Sequence, residues 1–98
     1  MPTARVTYIG FVRSLTGVRT EEVELQRGVT VRGLVEVLRD KYGDQFEHYV
    51  LSGQYRLSHL ARLVVGETEV ADLPQGYDTV IEDGCDVTVM TVAPLSGG

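Results

Sequence analysis

A single cysteine, Cys85, occurs in the whole sequence. It cannot form an internal disulfide, and it rules out a four-thiolate iron–sulfur cluster or an all-cysteine zinc site within the chain. Lysine is equally scarce: of nine basic residues, eight are arginine and one is Lys41. A modifier that built chains on its own lysines would have few places to do so. No run of about twenty apolar residues occurs, so no segment is expected to span a membrane. The opening Met-Pro-Thr-Ala-Arg lacks the apolar stretch that secretion needs, and a cytoplasmic protein is expected. A positive charge balance is missing too. Acidic residues number 14 against 9 basic, a formal charge of -5, which leaves no electrostatic footprint for nucleic acid or an anionic membrane.

What is present suits one small folded domain. The 98 residues leave room for no second core, and 43% hydrophobic with 23% charged residues is a folding composition rather than a disordered one. No internal repeat or low-complexity segment interrupts it.

Arg5 to Arg13 reads as a first strand, rich in β-branched and aromatic residues, with Gly10 marking a bulge. Ser14 to Arg19 contains Gly17 and reads as a hairpin loop. Thr20 to Gln26 alternates, with Val23 and Leu25 on one face and Glu22 and Glu24 on the other. Glu21, Glu22 and Glu24 are expected to be solvated. Thr30 is a good N-cap, and Val31, Leu34, Val35, Leu38 and Tyr42 follow as a helical stripe. Gly43 sits where a left-handed C-terminal residue is expected. Gly33, inside the helix, is expected to allow close packing against the sheet.

From Asp44 to Ser58 the pattern weakens, although Phe46, Tyr49, Val50 and Leu51 suggest a short helical turn returning to the core. Arg62 to Val65 reads as a strand, Gly66 to Thr68 as a turn, and Glu69 to Ala71 as a short return strand. Tyr77 to Ile81 suits a short strand or a 3₁₀ turn. Asp83-Gly84 is a strong turn signal. Asp86 to Val92 is the last strand, and both of its faces are largely apolar, which suits a central strand that is doubly covered or partly exposed as an interface. The order β-β-α, loop, β-(β)-β predicts an α+β fold in which a mixed sheet of four to five strands wraps one main helix.

Residues 1–92 then form the domain and residues 93–98 a flexible tail, Ala-Pro-Leu-Ser-Gly-Gly. Pro94 has no N–H for a sheet and should end the strand. Leu95 and Ser96 follow. Gly97 and Gly98 lack a Cβ and can thread a narrow channel, so the Gly98 carboxylate can reach another protein's active site. A carboxylate is a poor electrophile until activated, most simply as an acyl-adenylate made from ATP by a partner enzyme. That adenylate can accept sulfur, giving a thiocarboxylate, or an amine, giving a conjugate. Neither step needs a nucleophile, base or metal from the small domain, in keeping with its lack of a catalytic constellation.

These residues resemble the ubiquitin-like β-grasp sulfur carriers, the family of the molybdopterin synthase small subunit and the thiamine-thiazole sulfur carrier. The resemblance runs through Phe11 to Gly17, the Thr30-initiated helix, Val64 to Glu67, the Glu82 to Val87 turn and strand, and Gly97-Gly98. Two departures stand out: Cys85 precedes Asp86 in a turn that usually reads Asp-Gly-Asp, and Val92-Ala-Pro-Leu-Ser96 precedes the glycines. The resemblance implies a carrier with no bound cofactor and no active site of its own. It also implies an adenylating partner like the ubiquitin-activating enzymes, a sulfur donor, and a downstream synthase large subunit. Molybdopterin is placed first as the product, with cysteine and thiazole remaining open. Ubiquitin-like conjugation through Gly98 is the second reading; ubiquitin's tail carries arginines before its glycines, and this tail carries none. An enzyme in its own right and a passive binding module rank behind these.

Partner contact is expected on the sheet face beside the tail, through Met90, Val92 and Phe11. Cys85 lies among Glu82, Asp83 and Asp86, whose charges disfavour a thiolate. His48 and His59 have no obvious third ligand, so no metal site is expected.

Overall fold

The computed structural model describes residues 1–52, 57–58 and 60–92. Its elements run β1 (Thr3–Gly10), α1 (Val12–Thr16), β2 (Thr20–Glu24), α2 (Val31–Tyr42), α3 (Asp44–Val50), β3 (Ala61–Val65), β4 (Thr68–Glu69) and β5 (Asp86–Thr91). Single 3₁₀ turns at Val70–Asp72 and Gly76–Asp78 separate β4 from β5. The sheet order is β2-β1-β5-β3-β4. β1 and β5 pair in parallel; the other neighbours pair antiparallel.

The alternation along β1 sends Ala4, Val6 and Tyr8 inward, and that along β5 sends Val87, Val89 and Thr91 inward. α2 lies on this inner face because Val31, Leu34, Val35 and Leu38 form one buried stripe. The Thr30 side chain accepts a hydrogen bond from the Gly33 N–H at 3.3 Å and starts the helix there. α3 adds Phe46 and Val50 to the same core. The α+β class, the mixed sheet and the central position of the last strand agree with the sequence pattern.

Several local expectations change. β1 stops at Gly10, and the segment read as strand end and hairpin loop forms α1. Gly10 has φ +86°, which turns the chain out of the sheet, and Val12 becomes fully buried. Gly17 closes α1 in the left-handed conformation, its N–H donating to the Arg13 carbonyl. The return strand is Thr68–Glu69, and Val70–Ala71 belongs to a 3₁₀ turn. Gly43 has φ +81° but ψ -154°, outside the left-handed helical region. Gly33 faces Val29 rather than the sheet: a Cβ there would lie 2.6 Å from Val29 Cγ2. The expected tail, residues 93–98, lies outside the described residues.

Candidate functional site

The outer sheet face carries no helix among the described residues and is graded along its length. At one end Arg5 pairs in register with both Glu22 and Asp86. In the middle lie Thr7, Thr88 and Val64. At the other end Ile9 pairs with Met90, and Met90 with Arg62. Ile9, Gly10, Leu60, Arg62, Met90, Thr91 and Val92 line one shallow depression there. Ile9 is 49% exposed and Val92 62%, so apolar surface is left open where β1 and β5 end side by side. Arg62 donates to Glu69 Oε1 at 2.9 Å on the rim of this patch.

The point where the chain leaves the sheet is held from both sides. The Thr91 carbonyl accepts the Phe11 N–H at 3.1 Å, and Thr91 Oγ1 accepts the Val12 N–H at 2.6 Å. The Val92 N–H donates to the Leu60 carbonyl at 3.1 Å. Gly10 is what lets β1 approach so closely: a Cβ there would lie 2.0 Å from the Thr91 oxygen. Thr91 and Val92, the last described residues, are therefore tied into the sheet centre.

Of the expected interface residues, Met90 and Val92 share the open depression. Phe11 does not line it; its ring packs edge-on against Tyr49 at 4.9 Å. Pro94, Leu95, Ser96, Gly97 and Gly98 lie outside the described residues, as does His59. His48 packs against Tyr49 at 4.8 Å. Among the described residues no group of three His, Cys, Asp or Glu side chains could hold a metal ion. No described helix is long and apolar enough to cross a membrane. The Cys85 thiol is pushed up by burial and by the charges of Asp86 and Glu82, so the thiolate is disfavoured as the acidic neighbours suggest.

Glu21 corrects the expectation of a fully solvated glutamate row. It shares the face of Val23, and its side chain is only 14% exposed. Its carboxylate accepts from the Tyr8 hydroxyl at 2.7 Å, from the Tyr42 hydroxyl and from Lys41 Nζ. Burial opposes its ionisation, but the hydrogen bonds from Lys41, Tyr42 and Tyr8 outweigh that and hold the carboxyl below its ordinary range. Burial and the Glu21 charge push both tyrosine hydroxyls up. The Glu21 hydrogen bond likewise raises Lys41. The signal was present in the alternation, because Glu21 and Val23 are two residues apart.

This helix-wrapping mixed sheet is a ubiquitin-like β-grasp fold. Within that fold the chain resembles the ubiquitin-like sulfur carriers and modifiers. A putative molybdopterin converting factor, subunit 1, from Pyrococcus furiosus matches at 27% identity and TM-score 0.77, over 95% of this chain and 100% of that one. Small archaeal modifier protein 1 of Haloferax volcanii matches at 12% identity and TM-score 0.77, over 95% and 100%. Urm1 of Trypanosoma brucei matches at 20% identity and TM-score 0.74, over 94% and 93%. At their lower identity the last two show the fold. No family model matches the chain, and no curated protein matches it.

Proposed function

We propose that the chain is a sulfur carrier with Gly98 as its working end and molybdopterin as the product it serves. The carrying observation is the end-to-end likeness to a molybdopterin converting factor subunit at 27% identity, in a chain that ends its sequence Gly97-Gly98. In this reading a Gly98 carboxylate oxygen attacks the α-phosphorus of ATP in a partner enzyme, and pyrophosphate leaves. A hydrosulfide supplied by the sulfur donor then attacks the carbonyl carbon, the C–O bond to AMP breaks, a proton passes to solvent, and a thiocarboxylate remains. A synthase large subunit takes the sulfur. The cysteine and thiazole routes share this terminal chemistry and differ only in the acceptor.

The domain's own contribution is to bind and to present. The apolar end of the open sheet face, Ile9, Met90 and Val92, gives the partners a docking surface beside the tail. The hydrogen bonds at Thr91 and Val92 fix the point from which the tail departs. Gly97 and Gly98 present no side chain to a narrow channel. The reacting groups belong to the partners, and the domain acts as a co-substrate rather than an enzyme.

The test is tandem mass spectrometry of the isolated C-terminal fragment after incubation with ATP, an activating enzyme and a sulfur donor. Replacement of oxygen by sulfur on Gly98 is expected. The fragment must be isolated because oxidation of methionine or cysteine gives nearly the same mass change. Gly98→Ala, or one added C-terminal residue, should abolish or strongly reduce loading while the fold persists. Full sulfur transfer by either variant would overturn the proposal. Isopeptide-linked products in place of a thiocarboxylate would put protein conjugation first.

A further inference from the structure

An activated Gly98 meets two kinds of nucleophile, sulfur donors and amines. The amine side chain nearest at hand in any solution of carriers is Lys41, the sole lysine of the sequence. In an amine attack the neutral Lys41 nitrogen would form a C–N bond to the Gly98 carbonyl. The C–O bond to AMP would break, and the nitrogen would release a proton to solvent. The product is one carrier joined to another, with its working carboxylate consumed.

Lys41 is not hidden from such an attack by bulk, since half of its side-chain surface is open. It is instead engaged. Its ammonium donates to Glu21 Oε1, and Nζ lies 5.5 Å from the Tyr42 ring centroid. Glu21 is itself fixed by the Tyr8 and Tyr42 hydroxyls on its other oxygen. Tyr8 is 1% exposed and anchored in β1, so the acceptor carboxylate is held by the core rather than by a mobile surface side chain. The neighbouring acid, Asp40, is turned to Arg39 at 2.9 Å.

We propose that Glu21 is a specificity-determining residue for the carrier: it holds Lys41 as a paired ammonium and so withholds the chain's single lysine amine from acylation by an activated terminus. This rests on the carrier reading for its biological meaning but not for its test. Only the neutral amine attacks an acyl group, and pairing with a carboxylate favours the charged form. Lys41 responds accordingly, its amine made harder to deprotonate by the Glu21 hydrogen bond.

The test acetylates the intact protein with an N-hydroxysuccinimide ester of acetic acid and follows Lys41 by peptide mass spectrometry. Wild-type Lys41 should react about two- to fivefold more slowly than the lysine of an unfolded peptide of residues 38–44, the factor a partly exposed ion pair sustains. Glu21→Gln should recover that factor. Equal rates in folded wild type and folded Glu21→Gln would overturn the proposal. Raising the salt to about 1 M provides a second measurement that needs no variant, because it screens the pair and should speed wild-type Lys41 but not the peptide. An unchanged rate ratio in salt would overturn the proposal as well. With the activating enzyme and ATP but no sulfur donor, Glu21→Gln should accumulate Gly98–Lys41 adducts that wild type does not. If Gly98 is adenylated and the variant forms no more adduct than wild type, Glu21 does not set the acceptor. If Gly98 is not adenylated at all, the carrier reading fails, and the acetylation rates still decide the role of Glu21.

Discussion

Replacing Gly10 by alanine tests how the ends of β1 and β5 are joined. Gly10 sits at φ +86°, and an added Cβ would stand 2.0 Å from the Thr91 carbonyl oxygen, a backbone atom that cannot swing aside. The left-handed backbone alone costs an L residue about 1–2 kcal/mol. Relieving the contact must also part β1 from the end of β5, where the Thr91 oxygen accepts from Phe11 and Thr91 Oγ1 from Val12. Each such bond is worth about 0.5–1.5 kcal/mol net. Against this, alanine restricts the unfolded chain and returns about 0.4–1 kcal/mol. The balance is near 3 kcal/mol, a fall in melting temperature of about 12–24 °C for a domain of this size. Gly17 provides the control, with φ +77° and nothing within 4 Å of an added Cβ. Gly17→Ala carries the same kind of backbone strain and the same unfolded-state gain without the collision. Its loss should be about 1 kcal/mol. Thermal melts of the two variants by circular dichroism compare them directly. Equal destabilisation would refute the idea that the close approach of β1 to Thr91 shapes this end of the sheet.

Val92→Asp places a charge on the apolar end of the open face at a position 62% exposed. Its melting curve should stay within about 0.5 kcal/mol of wild type, while binding to the activating enzyme that the proposed function requires, followed by calorimetry, weakens at least tenfold, roughly 1.4 kcal/mol. Unchanged binding would remove this face from the partner contact. Glu21 gives a pH dependence. Its carboxyl is held below its ordinary value of 4.5 in the folded state, so the stability it contributes is present above that value and is lost as pH falls through the lower folded one. Denaturant melts below pH 4.5 should therefore show a steeper loss in wild type than in Glu21→Gln, and parallel curves would contradict the hydrogen-bonded cluster.

Much of the fold is legible in the residues because its signals are local. Thr30 followed by the Val31, Leu34, Val35 and Leu38 stripe both starts α2 and aims it. The largely apolar run Asp86 to Val92 suits a central strand, and β5 lies between β1 and β3, although only the face of Val87, Val89 and Thr91 is buried. What escapes is decided at a distance. Val12 has the propensity of a strand residue, yet it ends up in α1, where its N–H reaches Thr91 Oγ1 across 79 positions of sequence. Propensity cannot register that partner. Gly10 invites a bulge reading for the same reason, since the Thr91 carbonyl that leaves no room for a Cβ there arrives from the far end of the sequence. Glu21 is the opposite case. Its place beside Val23 follows from strict alternation, but three glutamates within four positions read as one solvated group. Met90 and Val92 share one face of the last strand by alternation alone and both line the open depression, whereas Phe11, expected with them, does not. Ile9, Leu60 and Arg62 join it only through strand register, which a single sequence does not state.

The parallel pairing of β1 with β5 also sets an order of events during synthesis. β1 emerges among the first residues, yet its central neighbour is the last of the described strands to be made. Until then the β1–β2 hairpin and β3 have no common strand to join them, because both flank β5. Long-range pairing of this kind forms late and slowly. A chain stalled or truncated before Asp86 thus has neither a continuous sheet nor the segment that follows it. Under the proposed carrier function, completing the sheet and delivering residues 93–98 become a single step, so an incomplete chain would have nothing to offer an activating enzyme.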